Sequence, residues 1–155
     1  MDLARNLKVE SVSRLQPAPT LQARSTQTVA EAVTLMREQR TGCILVCEQG
    51  KLIGIFTERD LMRRVLALGK PLALTLAEVM TPEPVVVQTK QTIGVAVQHM
   101  EEGGYRHLPV VDEVGKVVGI LSVKRIIRYL VEHFPGAVYN LPPEPGAVQH
   151  EREGA

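Results

Sequence analysis

The chain repeats itself. Thr28-Val29-Ala30-Glu31-Ala32-Val33 is echoed by Thr92-Ile93-Gly94-Val95-Ala96-Val97, an offset of 64 (92 − 28). The register holds through Met36 and Met100, Ile44 and Leu108, Val46 and Val110, and Glu48 and Asp112. After one inserted residue, Lys51-Leu52-Ile53-Gly54-Ile55 matches Lys116-Val117-Val118-Gly119-Ile120, an offset of 65 (119 − 54). The slip falls between Glu48 and Gly54, where a hairpin turn of variable length absorbs it. Register kept over so many positions is the mark of a tandem duplication. A chain of 155 residues has room for one compact domain or two small repeats, and not more.

Both copies parse alike. Thr28 and Thr92 can cap helices whose apolar positions (Val29, Ala32, Val33, Met36; Ile93, Ala96, Val97, Met100) recur at helical spacing. A short apolar strand follows (43–47; 108–111), then a turn, then a second strand (52–56; 117–121). A second helix opens at Thr57 or Ser122, with stripes Leu61, Val65, Leu68 and Ile126, Ile127, Leu130. A Pro-marked extended piece precedes each unit (19–23; 84–88). The expected fold is α+β, a β-α-β-β-α unit used twice about a pseudo-twofold axis, because one unit alone leaves a sheet face bare.

The expected divisions are an N-terminal lead at 1–10, repeat one at 11–70, a linker helix at 71–80, repeat two at 81–134 and a Pro-rich extended or disordered tail at 135–155. The linker rests on Thr75 and Glu78 as a capping box.

Composition excludes several function classes. Lys+Arg 18 against Asp+Glu 17 leaves a net charge of +1, so no bulk field recruits nucleic acid or an anionic membrane. Aromatics are 3% with no Trp, which denies single-stranded nucleic acid its stacking platforms. No apolar run is long enough to span a bilayer, and 1–10 is too polar for a signal peptide. Cys43 and Cys47 sit four apart on one strand, roughly 13 Å along it, too far for a disulfide. A reducing, cytoplasmic setting is expected. The four histidines form no ligand cluster on one element, and a tail pair at His150-Glu151 is at most a weak metal site. No nucleophile elbow, phosphate loop, metalloprotease motif or dinucleotide fingerprint is present, so no enzyme and no required cofactor are expected.

The chemistry concentrates at the mouth of the first unit's second helix. Thr57 stands at a strand-to-helix junction, where free N–H groups favour an anion. Asp60 is one turn on, and its two oxygens can accept from both hydroxyls of a cis-diol. The same pair also reads as a helix cap and nothing more. In the second copy Ser122 keeps the hydroxyl, but Arg125 replaces the acid and has no acceptor to offer.

Gly54-Ile55-Phe56-Thr57-Glu58-Arg59-Asp60-Leu61, Leu108-Pro109-Val110-Val111-Asp112 and Val79-Met80-Thr81-Pro82, in that repeated order, resemble paired cystathionine-β-synthase (CBS) domains, regulatory modules that sense adenosine nucleotides. The resemblance covers about 11–134 and implies a site in which one repeat supplies the sugar-gripping Asp and the other the base and phosphate contacts. Carried onto this chain, Asp60 and Thr57 face Thr81, Val85, Tyr105, Arg106 and His107. Arg106 and His107 suit a phosphate and Val85 a base; surface ion pairing to Glu101, Glu102 or Asp112 is the competing role for the two cations. The mirror cleft would draw on Ser122, Thr41, Gly42 and Cys43, and lacks both acid and cations. One competent site is therefore expected, taking AMP ahead of ADP or ATP as regulatory ligand, in a homodimer that signals to an unidentified regulated protein. A ligand-free interaction module is the alternative. Arg59, Arg63, Arg64, Lys124, Arg125 and Arg128 make the second helices basic, either as a solvated face or as an attraction for polyphosphate or an acidic partner.

Overall fold

The structure, a computed structural model, describes residues 2–136. The expected linear order is present twice. In the first half β1 (Gln22–Ala23), α2 (Val29–Glu38), β2 (Cys43–Glu48), β3 (Lys51–Thr57) and α3 (Glu58–Asp60, continuing as a wide turn over Leu61–Leu66) follow one another. They are preceded by α1 (Leu3–Val9) and a tight turn at Val12–Leu15. In the second half α4 (Leu76–Val79) and β4 (Thr81–Pro82) lead into β5 (Val87–Gln88), α5 (Ile93–Gly103), β6 (His107–Val111), β7 (Val117–Ser122) and α6 (Val123–His133).

Caps explain the helix starts. Thr28, Thr92 and Ser122 each accept a backbone N–H three residues on. Glu78 accepts from the Thr75 backbone at 2.9 Å and from its hydroxyl at 3.1 Å, the capping box expected ahead of the linker. Each unit forms a hairpin with a parallel strand beside it: β1 pairs with β2, which pairs antiparallel with β3, and β5, β6 and β7 repeat the arrangement.

Alternating faces of these strands build three cores. Ile44, Val46 and Phe56 point into the first half with α2; Leu108, Val110 and Leu121 point into the second with α5 and α6. The opposite faces, Cys43, Leu45, Ile55 and Ile120, meet each other between the halves. Strands covered on both faces read as unbroken apolar runs, as residues 43–47 of β2 do.

The opening segments cross over. Val12 and Leu15 lie in the second half's core, while Leu76 and Val79 lie in the first half's. The two are related by the same offset of 64 (76 − 12; 79 − 15). Their hydrogen bonds repeat too: Val12 N–H donates to Gln91 O as Leu76 N–H does to Gln27 O, and Ile93 N–H to Glu10 O as Val29 N–H does to Leu74 O. The division at 11 is thus one of sequence; in space residues 12–15 pack on the second half. In the same way β4 pairs with β3, and Ala18 pairs with Ile120.

Two stripe residues differ from expectation. Leu68 is 62% exposed and Ile127 53% exposed. In α3 the ladder widens (Ala67 N–H to Met62 O, Lys70 N–H to Val65 O), which rotates later residues off the 3.6-residue stripe. Ile127 stands about 100° round the helix from the buried Ile126, on the side turned away from the second core.

Helix α1, within the segment expected as an N-terminal lead, packs Leu7 against the second core and receives the Tyr129 hydroxyl on buried Asn6 at 3.1 Å. A Cβ on Gly94 would stand 2.9 Å from the Leu7 carbonyl oxygen. Gly→Ala inside a helix ordinarily gains up to about 1 kcal/mol. Here the sign should invert: Gly94→Ala should lower the urea midpoint and speed amide exchange across Leu3–Val9.

Candidate functional site

A cleft of about 440 Å³ opens where the mouth of α3 faces the loop between α5 and β6. That volume suits a small organic ligand. The first half supplies Thr57 and Asp60; the second half and its lead-in supply Thr81, Val85, Tyr105, Arg106 and His107. The seven residues singled out in the sequence are all on its wall.

Asp60 is the buried acid of the site, 8% exposed. One carboxylate oxygen, Oδ2, accepts from the Thr57 backbone N–H at 3.0 Å and its hydroxyl at 3.1 Å, while Asp60 N–H donates back to that hydroxyl at 3.2 Å. The capping role weighed against sugar binding is therefore present in the geometry. Oδ1 faces the other way. It accepts the Thr81 hydroxyl at 3.1 Å and lies 3.5 Å from Arg64 Nε. One oxygen thus holds the helix, and the other looks into the cleft on partners that a ligand hydroxyl could replace.

Three arginines treated in the sequence as a basic helix face also reach the wall: Arg59, Arg63 and Arg64. Arg59 donates to Gly104 O of the second half at 3.0 Å, and Arg64 to Met80 O at 2.8 Å. Helical spacing marks a polar face but does not say whether solvent or another segment lies opposite. Gly42, expected at the mirror cleft, borders this one, where its carbonyl takes the Glu58 N–H at 3.0 Å. Cys43 is core, as expected of a small apolar cysteine: burial pushes its thiol up to about 12, with a hydrogen bond to Thr41 opposing and Glu58 adding. Among the described residues no group of three or more His, Cys, Asp or Glu gathers to hold a metal ion. No helix among them is long and apolar enough to cross a membrane. His150-Glu151 and the tail from 137 lie outside the described residues.

Burial lowers the His107 imidazole below its ordinary value; Glu58 pulls it back, and Lys124 and Arg106 push it down further. The unfolded chain therefore takes up this proton first. Stability from His107 is present above about pH 6.5, the value in the unfolded chain, and is lost as the pH falls below it through the lower value of the folded state. Between pH 7 and pH 5 the urea midpoint of His107→Gln should fall less steeply than that of the unaltered chain.

Comparison with known proteins places the geometry in context. A family profile described as CBS domain matches twice, over residues 13–67 and 76–132. The meiotically up-regulated gene 70 protein of Schizosaccharomyces pombe is 36% identical over 121 residues, 77% of this chain and 16% of that protein. This chain spans 16%, 64% and 21% of three curated relatives that it matches. The CBS domain pair of protein MJ0100, solved with 5′-methylthioadenosine and S-adenosyl-L-methionine, superposes with a TM-score of 0.71 at 25% identity over 78% of this chain and 99% of that one. A CBS domain protein from Pyrobaculum aerophilum, solved with AMP, shares the fold at 23% identity, TM-score 0.71, covering 79% and 99%.

Proposed function

The chain belongs to the CBS domain family as a tandem pair, and from that premise we propose that it is a regulatory module that binds an adenosine ligand, AMP ahead of ADP or ATP, in the cleft around Asp60. One observation carries the reading: a buried carboxylate from one half and Arg106 and His107 from the other share a single cleft of about 440 Å³. Asp60 Oδ1 grips the ribose hydroxyls, Val85 and Tyr105 wall the base, and Arg106 with neutral His107 donates to the phosphate. The adenosine ligands of MJ0100 support the ligand class; the cations of this cleft favour one that carries a phosphate. CBS pairs are generally regulatory modules, and this one acts by binding, not by catalysis.

Ligand works only by preferring one arrangement of halves or of paired chains. Met62, Leu66, Val123 and Ile127 on the second helices are all more than a third exposed, a surface suited to a homodimer. The same surface favours a second reading, a dimerising module with no ligand. Calorimetric titration with AMP, ATP and 5′-methylthioadenosine separates the two. AMP should bind tightest, with the dimer seen by light scattering. No heat with any of the three, from a constitutive dimer, leaves only the second reading.

A further inference from the structure

Outside that cleft, we infer that a second pocket, between the turn Val12–Leu15 and the C-terminal part of α6, binds a phosphate-class polyanion. The pocket measures about 470 Å³ and is lined by Arg14, Arg125, Arg128, Tyr129, Glu132 and His133. Arg125 stands where the first repeat has Asp60, and Arg128 where it has Arg63 (125 − 60 and 128 − 63, both 65). The substitution reverses the local charge. In the first half the acid neutralises Arg64 at 3.5 Å. In the second, neither Arg125 nor Arg128 has a carboxylate within 4.0 Å, the ion pairs among the described residues being Arg14–Glu10, Arg64–Asp60 and Lys90–Glu113.

Arg125 is half-buried, so an unpaired guanidinium there gives up part of its hydration without a counter-charge. Across the pocket, Arg14 is steadied by Glu10 at 3.3 Å. The end wall is held in place: His133 Nδ1 lies 3.0 Å from Tyr129 O, the two rings stack at 4.3 Å, and the Tyr129 hydroxyl is tied to Asn6. Guanidinium forks match phosphoryl oxygens two at a time. Three forks around a pocket of this size call for two or more linked phosphoryl groups. With the acid gone, nothing at this position selects a ribose.

The test is calorimetric titration of the full chain with sodium tripolyphosphate at fixed ionic strength, with sulfate as the simple-anion comparison. Tripolyphosphate should bind at least tenfold tighter than sulfate. Arg125→Gln with Arg128→Gln should weaken it at least tenfold while the urea midpoint holds, and Arg106→Gln, in the first cleft, should leave it within about twofold. Arg14→Gln should weaken it severalfold. Equal affinity in the double variant, or parity with sulfate, overturns the site. So does loss of tripolyphosphate binding in Arg106→Gln, since the anion would then occupy the first cleft. If AMP fails to bind while the tripolyphosphate results stand, the first reading falls and this one survives.

Discussion

Asp60→Ala should abolish the thermal stabilisation that AMP gives the unaltered chain. At a concentration 100 times its dissociation constant, a ligand that binds only the folded state adds about 2.7 kcal/mol. Asp60 carries that response because its two oxygens divide the work. Oδ2 is committed to Thr57 at 3.0 and 3.1 Å, whereas Oδ1 holds Thr81 and Arg64 on the cleft side. Alanine removes both functions. Losing the cap lowers the baseline by about 1 kcal/mol, so the readout is the shift on adding AMP, not the melting temperature itself. Arg64→Gln provides the opposite arm. It frees Oδ1 of a charged neighbour and leaves Thr57 and Thr81 in place, so the AMP shift should persist. Equal shifts in Asp60→Ala and the unaltered chain would show that Asp60 does not hold the ligand.

The fold was legible because duplication doubles a weak signal. A single Thr-capped amphipathic helix before a short apolar strand is ambiguous; the same pattern recurring 64 residues on (92 − 28) is not. The cleft was legible for a related reason: Asp60 is present in one copy and replaced by Arg125 in the other, so the asymmetry shows in the letters. The crossing of the opening segments was not legible. Val12 and Leu15 match Leu76 and Val79, but two apolar positions three apart form too short a pattern to stand out. Nor does periodicity name a partner: Val12 N–H bonds to Gln91 O, far along the chain, and nothing local to either announces it. Arg59, Arg63 and Arg64 were hidden differently. They occupy the polar side of an amphipathic pattern, and only the approach of Gly104 and Met80 turns that side into the wall of a cleft.

That crossing makes two glycines the strongest handles on the fold. Gly54 and Gly119 are equivalent (119 − 54 = 65), and each lies beneath the lead-in strand that comes from the other half. A Cβ at Gly54 would overlap the Met80 side chain and sit 3.1 Å from Thr81 O; at Gly119 it would meet Pro17 Cβ at 2.7 Å and Ala18 O at 3.0 Å. Backbone on the far side cannot move without breaking Gly54–Pro82 and Ile55–Thr81, or Ala18–Ile120. Gly54→Val and Gly119→Val should therefore each cost about 3 kcal/mol, at the upper end for overpacking, in urea unfolding. Their effects on ligand binding should part company. The strand displaced by Gly54→Val carries Thr81, which bonds Asp60 at 3.1 Å, and leads to Val85; AMP affinity should fall more than tenfold. The strand displaced by Gly119→Val touches the other half's sheet and leaves the Asp60 cleft intact, so affinity should stay within about twofold once the folded fraction is accounted for. Two variants matched in strain and in stability, differing only in which half they disturb, separate a general loosening of the chain from damage to one cleft. If Gly54→Val keeps its AMP affinity, Thr81 and its strand are no part of the site. If Gly119→Val loses it, ligand binding depends on the whole twofold assembly and not on one side of it.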